Sequence, residues 1–373
     1  MKVCFTGGGT GGHVFPGFAV DAQLKLIAAE ANEPYERLWI GSRSPMERRW
    51  IERAGFRHRA ICSGKLRRYA SLRTIPDLFS VVIGCVQAWW ILREERPHVL
   101  FSKGGFVSVP PVIAAYLLNI PVITHESDAL PGLATKINSR FAQTICIPFL
   151  AVAEHFPLRM QDRFLVTGVP TRMHRELAMR ERAFNRFDLP SDRPLIVVLG
   201  GSQGALQINT LVWDSLDELL EIGSVLHQTG ERTFKEIVRE GYRATPFIES
   251  GLDDVLDAAT VVISRSGATA LADFLEMEVP MILIPLGLHA SRGDQVENAK
   301  RMQAAGAAVV LDQDSVTKDS FVSVVKNLVL HDSRRREMVE AARALRFDSS
   351  AFSLAQATMR LALESKKGDK ADG

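Results

Sequence analysis

Short apolar runs alternate with longer amphipathic segments along the whole chain, and the alternation occurs twice. In the first half the runs are rich in Val, Ile and Leu and cover residues 3–5, 38–40, 99–101, 121–123 and 144–147. After a proline-bearing turn near residues 163–171 they restart at 195–199, 224–227, 261–264, 281–285 and 308–311. Strands that alternate with helices are typical of parallel βαβ units. The sequence therefore predicts an α/β protein with two doubly wound, Rossmann-like parallel sheets.

In each half the first strand runs directly into a glycine-rich loop that opens a helix. The first glycine loop is GGGTGG at residues 7–12, and the second is GGSQG at residues 200–204. Ligands of parallel sheets bind beyond the carboxyl ends of the strands, so we expect two domains facing across a cleft lined by both loops. We place the N-terminal domain at 1–168 and the C-terminal domain at 169–347. A helix at 348–366 is expected to pack back on the first domain, before a disordered tail at 367–373.

Composition supports two ordinary globular domains. The chain has 373 residues, of which 46% are hydrophobic and 24% charged, values near the averages for soluble domains. Its four cysteines form no CxxC pair, which argues against a zinc site or a disulfide framework and favours a reducing compartment. The first residues lead straight into a strand, so no signal peptide is expected. The longest apolar stretches are too short or too proline-broken to cross a membrane.

Positive charge is concentrated between Arg37 and Arg73, where eleven Arg and Lys face only Glu47 and Glu52. Such a patch suits an anionic partner, or is simply a solvated face. Nucleic acid is disfavoured because no aromatic-interleaved or helix-turn-helix pattern accompanies the charge. The helix predicted next, residues 77–95, is apolar apart from one narrow polar stripe. We interpret it as a core helix, with membrane contact through Trp89 and Trp90 as the alternative.

The first glycine loop matches the GxGxxG pattern, in which backbone N–H groups and a helix N-terminus bind phosphate. His13 follows at once, and a histidine beside a phosphate site is suited to acid–base work. An NAD-binding interpretation would need an acidic residue after the second strand. The chain has Gly41, Ser42 and Arg43 there, which suits NADP at best.

The second glycine loop offers the Ser202 hydroxyl and the Gln203 amide, but lacks the GK[ST] ending of a P-loop. It is therefore suited to a diphosphate held without lysine or magnesium. A third strand ends in small residues that permit close approach of a nucleotide, Arg265, Ser266, Gly267, Ala268 and Thr269. In the following helix Asp273 is placed to bind ribose hydroxyls, and Gln295 suits sugar hydroxyls.

Two acidic clusters raise the question of a metal. His125, Glu126 and Asp128 follow a strand, but no second histidine cluster at ligand spacing supports a metal site there. Asp312 and Asp314 form a DxD match that stands after the last strand, where an exposed loop is expected. We therefore predict neither a tightly bound metal nor a cofactor.

Seven motifs occur in a fixed order from residue 7 to residue 295: GGGTGGHVFPG, SGKLRRYASL, FSKGGFVSVPP, HESDALPGLATK, GGSQGA, ISRSGA and LGLHASRGDQ. Together they closely resemble the MurG family of peptidoglycan N-acetylglucosaminyltransferases. The resemblance implies a GT-B fold and inverting transfer of GlcNAc from UDP-GlcNAc to the MurNAc C4 hydroxyl of lipid I, giving lipid II. It also implies a peripheral enzyme on the cytoplasmic face of the cell membrane. Its partners would be the anionic membrane surface and, in addition, proteins of cell-wall synthesis and division.

The resemblance also implies roles for individual residues. His13 would be the general base, and Thr10, Gly11 and Gly12 would lie by the donor sugar and the acceptor diphosphate. Arg172 and Ser202 would face the diphosphate, Ile248 the uracil, Ala268 and Thr269 the phosphates, and Gln295 the GlcNAc hydroxyls. Two positions depart from many members, because Asp128 stands for Asn and Asp273 for Glu. With Asp128 in place, Glu126 is an alternative base. The basic residues Lys65, Arg67 and Arg68 would meet the membrane.

Other functions remain open from the residues alone. A GT-B transferase acting on diacylglycerol would share every donor feature, and a UDP-GlcNAc 2-epimerase would share the fold. An NADP oxidoreductase rests on the first glycine loop and Arg43, and leaves the second glycine loop unexplained. A non-catalytic nucleotide-sugar sensor would have no use for His13.

Overall fold

The structure is a computed structural model that describes residues 1–64, 74–201, 204–287, 293–347 and 349–371. The chain divides into two units. The first unit consists of Met1–Arg172 and Phe347–Gly373, and the second of Met173–Arg346. The chain therefore passes from the first unit to the second after Arg172, four residues later than the predicted domain boundary at residue 168.

The first unit contains a seven-stranded sheet in which every pairing is parallel. Its strands are β1 (Lys2–Thr6), β2 (Glu36–Gly41), β3 (Arg57–Ala60), β4 (Val99–Ser102), β5 (Val122–His125), β6 (Thr144–Ile147) and β7 (Phe164–Val166). Their spatial order is β3-β2-β1-β4-β5-β6-β7, so the order reverses between β1 and β4. The first glycine loop follows β1 and therefore lies at the switch point where parallel sheets bind ligands.

Helices cover both faces of this sheet, and the central strands are accordingly buried along most of their length. The helices are α1 (Phe15–Glu30), α2 (Pro45–Arg53), α3 (Thr74–Glu95), α4 (Val109–Leu117) and α5 (Leu133–Asn138). Two apolar clusters pack on opposite sides of the sheet, one around Phe5, Trp39 and Phe101 and the other around Leu38, Ile40 and Leu100.

The second unit repeats the plan with six parallel strands in the order β10-β9-β8-β11-β12-β13. The strands are β8 (Leu195–Leu199), β9 (Ser224–Gln228), β10 (Tyr242–Thr245), β11 (Val261–Ser264), β12 (Met281–Leu283) and β13 (Ala308–Val310). The helices are α6 (Arg180–Phe187), α7 (Leu206–Asp214), α8 (Leu216–Ile222), α9 (Leu252–Ala258), α10 (Ala268–Glu276), α11 (Asp294–Ala304), α12 (Lys318–Leu330) and α13 (Asp332–Leu345). The order reverses between β8 and β11, again beside a glycine loop. The predicted fold class, two Rossmann-like parallel sheets, is confirmed.

The chain returns to the first unit through its last helix, α14 (Ser350–Ala371), which packs on α1. The predicted disordered tail at 367–373 is wrong for residues 367–371, because the helix continues to Ala371. Lys366 stabilises this end of the helix through an ion pair with Glu33, 2.5 Å apart, and Glu33 also pairs with the amino terminus of Met1.

The predicted core helix α3 is buried on only one face. Val81, Ala88, Ile91 and Leu92 pack into the first unit, as the core interpretation expects. The opposite face exposes an apolar stripe, defined as Leu78, Phe79, Val82, Ile83, Val86 and Trp90, each at least half exposed. Among the helices of the described residues, none is long and apolar enough to cross a membrane. The core interpretation is therefore wrong for the exposed face.

Candidate active site

The first glycine loop is held in place by Glu47, a buried carboxylate at the start of α2. Its Oε2 accepts the Gly9 N–H at 2.8 Å and the Ser42 hydroxyl at 2.8 Å, while Oε1 accepts the Ser42 N–H at 2.6 Å. A Cβ on Gly8 would lie 2.5 Å from Oε2, so a side chain there would displace the Glu47 carboxylate. Glu47 thus joins the first glycine loop, through the Gly9 N–H, to the turn after β2.

His13 ends the short 3₁₀ turn Gly11–His13 that leads from the loop into α1. The imidazole is half-buried and lies directly over Gly105, where a Cβ would be 2.8 Å from His13 Cδ2 and 2.9 Å from the Gly8 carbonyl oxygen. Gly105 follows β4 and has a φ of +76°, which glycine adopts without strain. The turns after β1 and β4 therefore meet, and together they set the position of the candidate base.

Glu126, the alternative base, is buried and engaged by the backbone. Oε1 accepts the N–H groups of Ser127 at 2.8 Å and Asp128 at 3.0 Å, and Oε2 accepts the Gly132 N–H at 2.9 Å. Three such bonds stabilise a carboxylate and hold the loop after β5. A group with both oxygens occupied in this way is poorly placed to take a substrate proton, so the geometry favours His13.

Lys103 is a buried cation in the same part of the unit, only 2% exposed. Burial lowers the pKa of its ammonium group, and the charges of Glu126 and Asp128 act in the opposite direction. Asp128 therefore has a charge partner in this chain. The half-buried Asp128 compensates part of the lysine charge.

The His125 side chain is bonded to the main chain of this unit. It is fully buried, and its Nε2 is 2.9 Å from the Gly168 carbonyl oxygen, to which it donates. Burial, together with the Lys103 charge, holds the pKa of His125 well below its ordinary value, so the ring is neutral. In the described part of the chain no three His, Cys, Asp or Glu side chains are arranged to hold a metal ion.

Arg172 lies beside the first glycine loop. Its guanidinium carbon is 4.1 Å from the centroid of the Phe15 ring, a cation–π contact. The same ring packs against Gly11, where a Cβ would be only 2.8 Å from it, and against Trp50 with centroids 4.9 Å apart. The Phe15 ring thus connects Arg172 to Gly11 in the first glycine loop, which also contains Gly12 and the exposed Thr10, and a cation at this place suits an anion.

In the second unit, the turn after β11 carries several candidate residues. Gly267 caps α10, and a Cβ there would meet nothing within 4 Å, so a ligand has room to approach the N–H groups of Ala268 and Thr269. Asp273 lies half-buried further along α10. This arrangement is suited to a phosphate at the helix N-terminus.

Three of the predicted polar residues hold this turn together. The Ser266 hydroxyl donates to the Gln295 carbonyl oxygen at 2.7 Å, and Gln295 Oε1 accepts the Leu286 N–H at 3.0 Å. Arg265 donates to the carbonyl oxygens of Ile284 at 2.9 Å and Pro285 at 3.2 Å, and burial lowers its pKa. The Arg265 guanidinium therefore bonds mainly to main-chain carbonyl oxygens that follow β12.

Ile248, the predicted uracil contact, follows β10 and is buried. Its N–H donates to Gln228 Oε1 at 3.0 Å, and Gln228 Nε2 donates to the Gly201 carbonyl oxygen at 3.3 Å. A Cβ on Gly201 would meet nothing within 4 Å. Gln228 therefore joins the loop at Ile248 to the second glycine loop. Ser202 and Gln203 lie outside the described residues.

A buried polar network packs against the second glycine loop, at Gly200 and Gly204. Trp213 Nε1 donates to the Tyr242 hydroxyl at 3.2 Å, and that hydroxyl lies 3.1 Å from His227 Nδ1. His227 Nε2 lies 3.0 Å from Asn209 Oδ1, and Asn209 Nδ2 donates to the Thr229 carbonyl oxygen at 2.8 Å. In this pattern Nε2 carries the proton and the imidazole is neutral. Burial agrees, since it lowers the pKa of His227 to about 3.

The low pKa of His227 predicts a pH dependence of stability. The pKa of His227 is about 3 in the folded protein and has its ordinary value in the unfolded chain. Between these two pH values the unfolded chain therefore binds one proton more than the folded protein. Stability is complete above the ordinary pKa and is lost as the pH falls towards 3. We expect the unfolding free energy of wild type to fall by up to about 1.4 kcal/mol per pH unit more steeply than that of His227→Gln. Hydrogen exchange of the β8 and β9 amides in urea measures the unfolding free energy at each pH. Parallel pH profiles for wild type and His227→Gln would contradict the prediction.

Sequence reasoning missed four residues of these sites: Glu47, Lys103, Gly105 and Gln228. Glu47 stood in the basic stretch and was counted only as a charge. The available signal was its position in the turn after β2, because carboxylates in such turns accept backbone N–H groups. The predicted membrane-facing residues Lys65, Arg67 and Arg68 lie outside the described residues.

Comparison with known proteins gives a consistent result. Residues 3–147 match the glycosyltransferase family 28 N-terminal domain, and residues 195–355 match the glycosyltransferase family 28 C-terminal domain. A protein of Treponema pallidum is 42% identical over 95% of this chain and 94% of its own length. It is named UDP-N-acetylglucosamine–N-acetylmuramyl-(pentapeptide) pyrophosphoryl-undecaprenol N-acetylglucosamine transferase. A protein of Staphylococcus carnosus with the same name is 41% identical over 86% of this chain and 87% of its own.

A solved structure agrees on the fold. The crystal structure of Acinetobacter baumannii MurG superposes with a TM-score of 0.69 at 21% identity, covering 96% of this chain and 99% of that one. The matched domains include both glycine loops, and the relative from Treponema pallidum aligns with 95% of the chain. The chain therefore belongs to glycosyltransferase family 28 and, within it, to the MurG family.

Proposed function

We propose that this chain transfers GlcNAc from UDP-GlcNAc to the C4 hydroxyl of MurNAc in undecaprenyl-pyrophosphoryl-MurNAc-pentapeptide (lipid I), which gives lipid II. The observation that carries the proposal is the 42% identity, over 95% of the chain, to a relative named for this transfer. The two glycine loops, each at the switch point of a parallel sheet, agree with a pair of phosphate-bearing substrates.

The proposed reaction is one displacement with inversion at the anomeric carbon. The C4 hydroxyl oxygen of MurNAc attacks C1 of GlcNAc, the bond from C1 to the UDP oxygen breaks, and His13 takes the hydroxyl proton. The electron pair of the broken bond leaves with UDP. Because negative charge develops on the diphosphate, backbone N–H groups at a helix N-terminus stabilise the transition state. The first turn of α10, with Ala268 and Thr269, supplies such groups.

Donor recognition in this proposal uses the second unit. Because the Ile248 N–H is engaged by Gln228, Ile248 presents its carbonyl oxygen to the N3–H of uracil. Asp273 binds the ribose hydroxyls through its carboxylate. Gln295 has its oxygen engaged by Leu286, so its amide N–H groups are the ones that meet the GlcNAc hydroxyls.

Acceptor recognition in this proposal uses the first unit. The N–H groups of the first glycine loop and the guanidinium of Arg172 bind the lipid-linked diphosphate. Support comes from the Phe15 ring, which contacts both Arg172 and Gly11. The loop is already bonded to Glu47 at Gly9, so less conformational entropy is lost when the diphosphate binds.

UDP release from UDP-GlcNAc, followed with and without a short-chain lipid I analogue, tests the proposed function. We expect release that depends on the analogue and persists in EDTA. Release that is independent of the acceptor, or conversion of UDP-GlcNAc to a free epimer, would favour the 2-epimerase alternative. Release that requires diacylglycerol would favour the other transferase. The sequence relatives favour neither alternative.

We also propose that the enzyme binds peripherally to the cytoplasmic face of the cell membrane through the apolar stripe of α3. Six large apolar side chains exposed along one helix face are unusual for a surface that meets only water. Trp90 at one end of the stripe suits the membrane interface. The basic stretch that precedes α3 adds attraction to anionic lipids.

The double substitution Phe79→Ser and Trp90→Ser is expected to lower partition into vesicles by about tenfold or more, because two apolar side chains no longer enter the bilayer. The vesicles consist of phosphatidylethanolamine and phosphatidylglycerol, and cosedimentation measures binding. Leu158→Ser is the control, since Leu158 is 86% exposed in the same unit but lies outside the stripe. Equal partition of the double variant and the control would contradict the membrane role.

A further inference from the structure

We infer that Gln228 is a positioning residue that couples the base-binding loop to the second glycine loop. The inference rests on the proposed function, because it takes Ile248 as the contact for uracil and the second glycine loop as a contact for the diphosphate. Gln228 itself would touch neither part of the donor. Its effect is to hold the two loops at the separation that a nucleoside diphosphate requires.

Three hydrogen bonds carry this inference. Gln228 is the last residue of β9, and its side chain is buried. Its main-chain carbonyl accepts the Gly200 N–H at 3.2 Å, its Nε2 donates to the Gly201 carbonyl oxygen at 3.3 Å, and its Oε1 accepts the Ile248 N–H at 3.0 Å. One residue is therefore bonded to both loops, which are 47 positions apart in the sequence at Gly201 and Ile248.

The carboxamide is the suitable group for this place. It offers a donor and an acceptor at the same end of the side chain, and here the donor meets a carbonyl while the acceptor meets an N–H. The bond to Ile248 is costly to lose, since it would leave a buried N–H without its partner. The Gly201 carbonyl also accepts the Gly204 N–H at 3.2 Å, so the bond from Gln228 Nε2 is the one that joins this loop to the base-binding loop. The link is therefore expected to persist while the donor binds and leaves.

The two loops differ in how firmly they are held. The segment before Ile248 is bonded to the residues that follow β9, by the Thr229 N–H to the Thr245 carbonyl oxygen at 2.9 Å and by the Gly230 N–H to the Pro246 carbonyl oxygen at 3.0 Å. Gly201 has a φ of +75°, and a Cβ there would meet nothing within 4 Å. Side-chain packing thus does little to fix Gly201. The bond from Gln228 transfers the rigidity of the base-binding loop to it.

A coupling of this kind predicts a distinctive pattern of affinities. A ligand that spans both loops gains from having them preset, whereas a ligand that uses only one loop does not. UDP should therefore lose affinity when Gln228 is replaced, while uridine and inorganic pyrophosphate should each retain theirs. A residue that only stabilises the fold would not separate these ligands.

Isothermal titration calorimetry with UDP, uridine and inorganic pyrophosphate tests the inference on the full chain. The variants are Gln228→Met, which has a similar length but no amide, and Gln228→Glu, which keeps an acceptor for Ile248 but loses the donor to Gly201. Gln303→Met is the control, because Gln303 is exposed on α11. We expect both Gln228 variants to bind UDP about 10- to 100-fold more weakly, since one or both of the side-chain hydrogen bonds that join the two loops are lost. For Gln228→Met, which adds no charge, uridine and pyrophosphate should stay within about threefold of wild type, a small difference on the same scale. The carboxylate of Gln228→Glu would repel pyrophosphate directly, so the comparison of the three ligands uses Gln228→Met.

Four results would overturn the inference. UDP affinity unchanged in both Gln228 variants would show that no coupling exists, and a parallel loss for all three ligands would indicate a structural role alone. Tighter uridine binding by Gln228→Met would show that Gln228 competes with the base. If wild type binds neither UDP nor UDP-GlcNAc, the proposed function itself fails and the inference falls with it. In steady-state assays a supporting result is a raised KM for UDP-GlcNAc with kcat within about threefold of wild type.

Discussion

Replacement of His13 by alanine is expected to lower kcat by about 100- to 10,000-fold, the usual contribution of a general base. The KM for UDP-GlcNAc should change little, because His13 belongs to the first unit and the proposed donor contacts to the second. The physical reason is the position of the imidazole. It ends the turn that follows the first glycine loop and lies directly over Gly105. Single-turnover formation of lipid II measures the chemical step without the contribution of product release.

The matched control is His155→Ala, since His155 is exposed in the same unit and lies in a different turn. Its kcat should equal that of wild type. A His13→Ala enzyme that retains most of its activity would remove His13 from the chemistry. It would then matter whether Glu126→Gln loses activity without losing stability. We expect instead that Glu126→Gln loses more stability than activity, because the Glu126 carboxylate accepts hydrogen bonds from three backbone N–H groups.

Gly105→Ala is expected to lower kcat by about 100-fold, the size of effect that follows when a reacting group moves by roughly 1 Å. The added Cβ would lie 2.8 Å from His13 Cδ2 and 2.9 Å from the Gly8 carbonyl oxygen, so the imidazole or the first glycine loop must move. Glu47 holds that loop through the Gly9 N–H, which leaves the imidazole as the group that moves. Steady-state kinetics with saturating UDP-GlcNAc and lipid I analogue measures the loss.

A second substitution separates this displacement from backbone strain. Gly55 has a φ of +79°, close to the +76° of Gly105, and a Cβ there would meet only the end of the Arg37 side chain. Gly55→Ala should therefore cost a similar free energy of unfolding, about 1–2 kcal/mol, with kcat unchanged. Equal losses of kcat in the two variants would attribute the effect to strain and contradict the role of Gly105.

The fold could be predicted from the sequence wherever a strand is buried on both faces. Strands such as β1, β4 and β8 each contain a buried apolar run of at least three residues, and these runs were recognised. Strand β7, only three residues long, was missed because it lies where a proline-bearing turn was expected. Strands β3 and β10 were missed because each lies at the edge of its sheet and carries Arg57 and Arg59, or Arg243, in its sequence. An edge strand with one solvated face has no continuous apolar run. The last helix was predicted too short, because its final residues are polar.

The position of the candidate site could be predicted from the sequence, but the contacts between its residues could not. Glycine loops after strands show where phosphates bind, and this requires only local pattern. Glu47 and Gln228 act through hydrogen bonds to residues 38 and 27 positions away, Gly9 and Gly201. No local pattern predicts such pairs. Likewise, the choice between His13 and Glu126 depended on which carboxylate oxygens the backbone occupies, and only the folded chain shows this.

The mass and linkage of the lipid product test the central claim most directly. The purified enzyme is incubated with UDP-GlcNAc and a lipid I analogue, and the extracted lipid is characterised by mass spectrometry and NMR. We predict that the analogue gains one GlcNAc, joined to C4 of MurNAc through a β linkage, because the displacement inverts the α-linked donor. A lipid without added GlcNAc, accompanied by free epimerised sugar or by GlcNAc on another acceptor, would contradict the account.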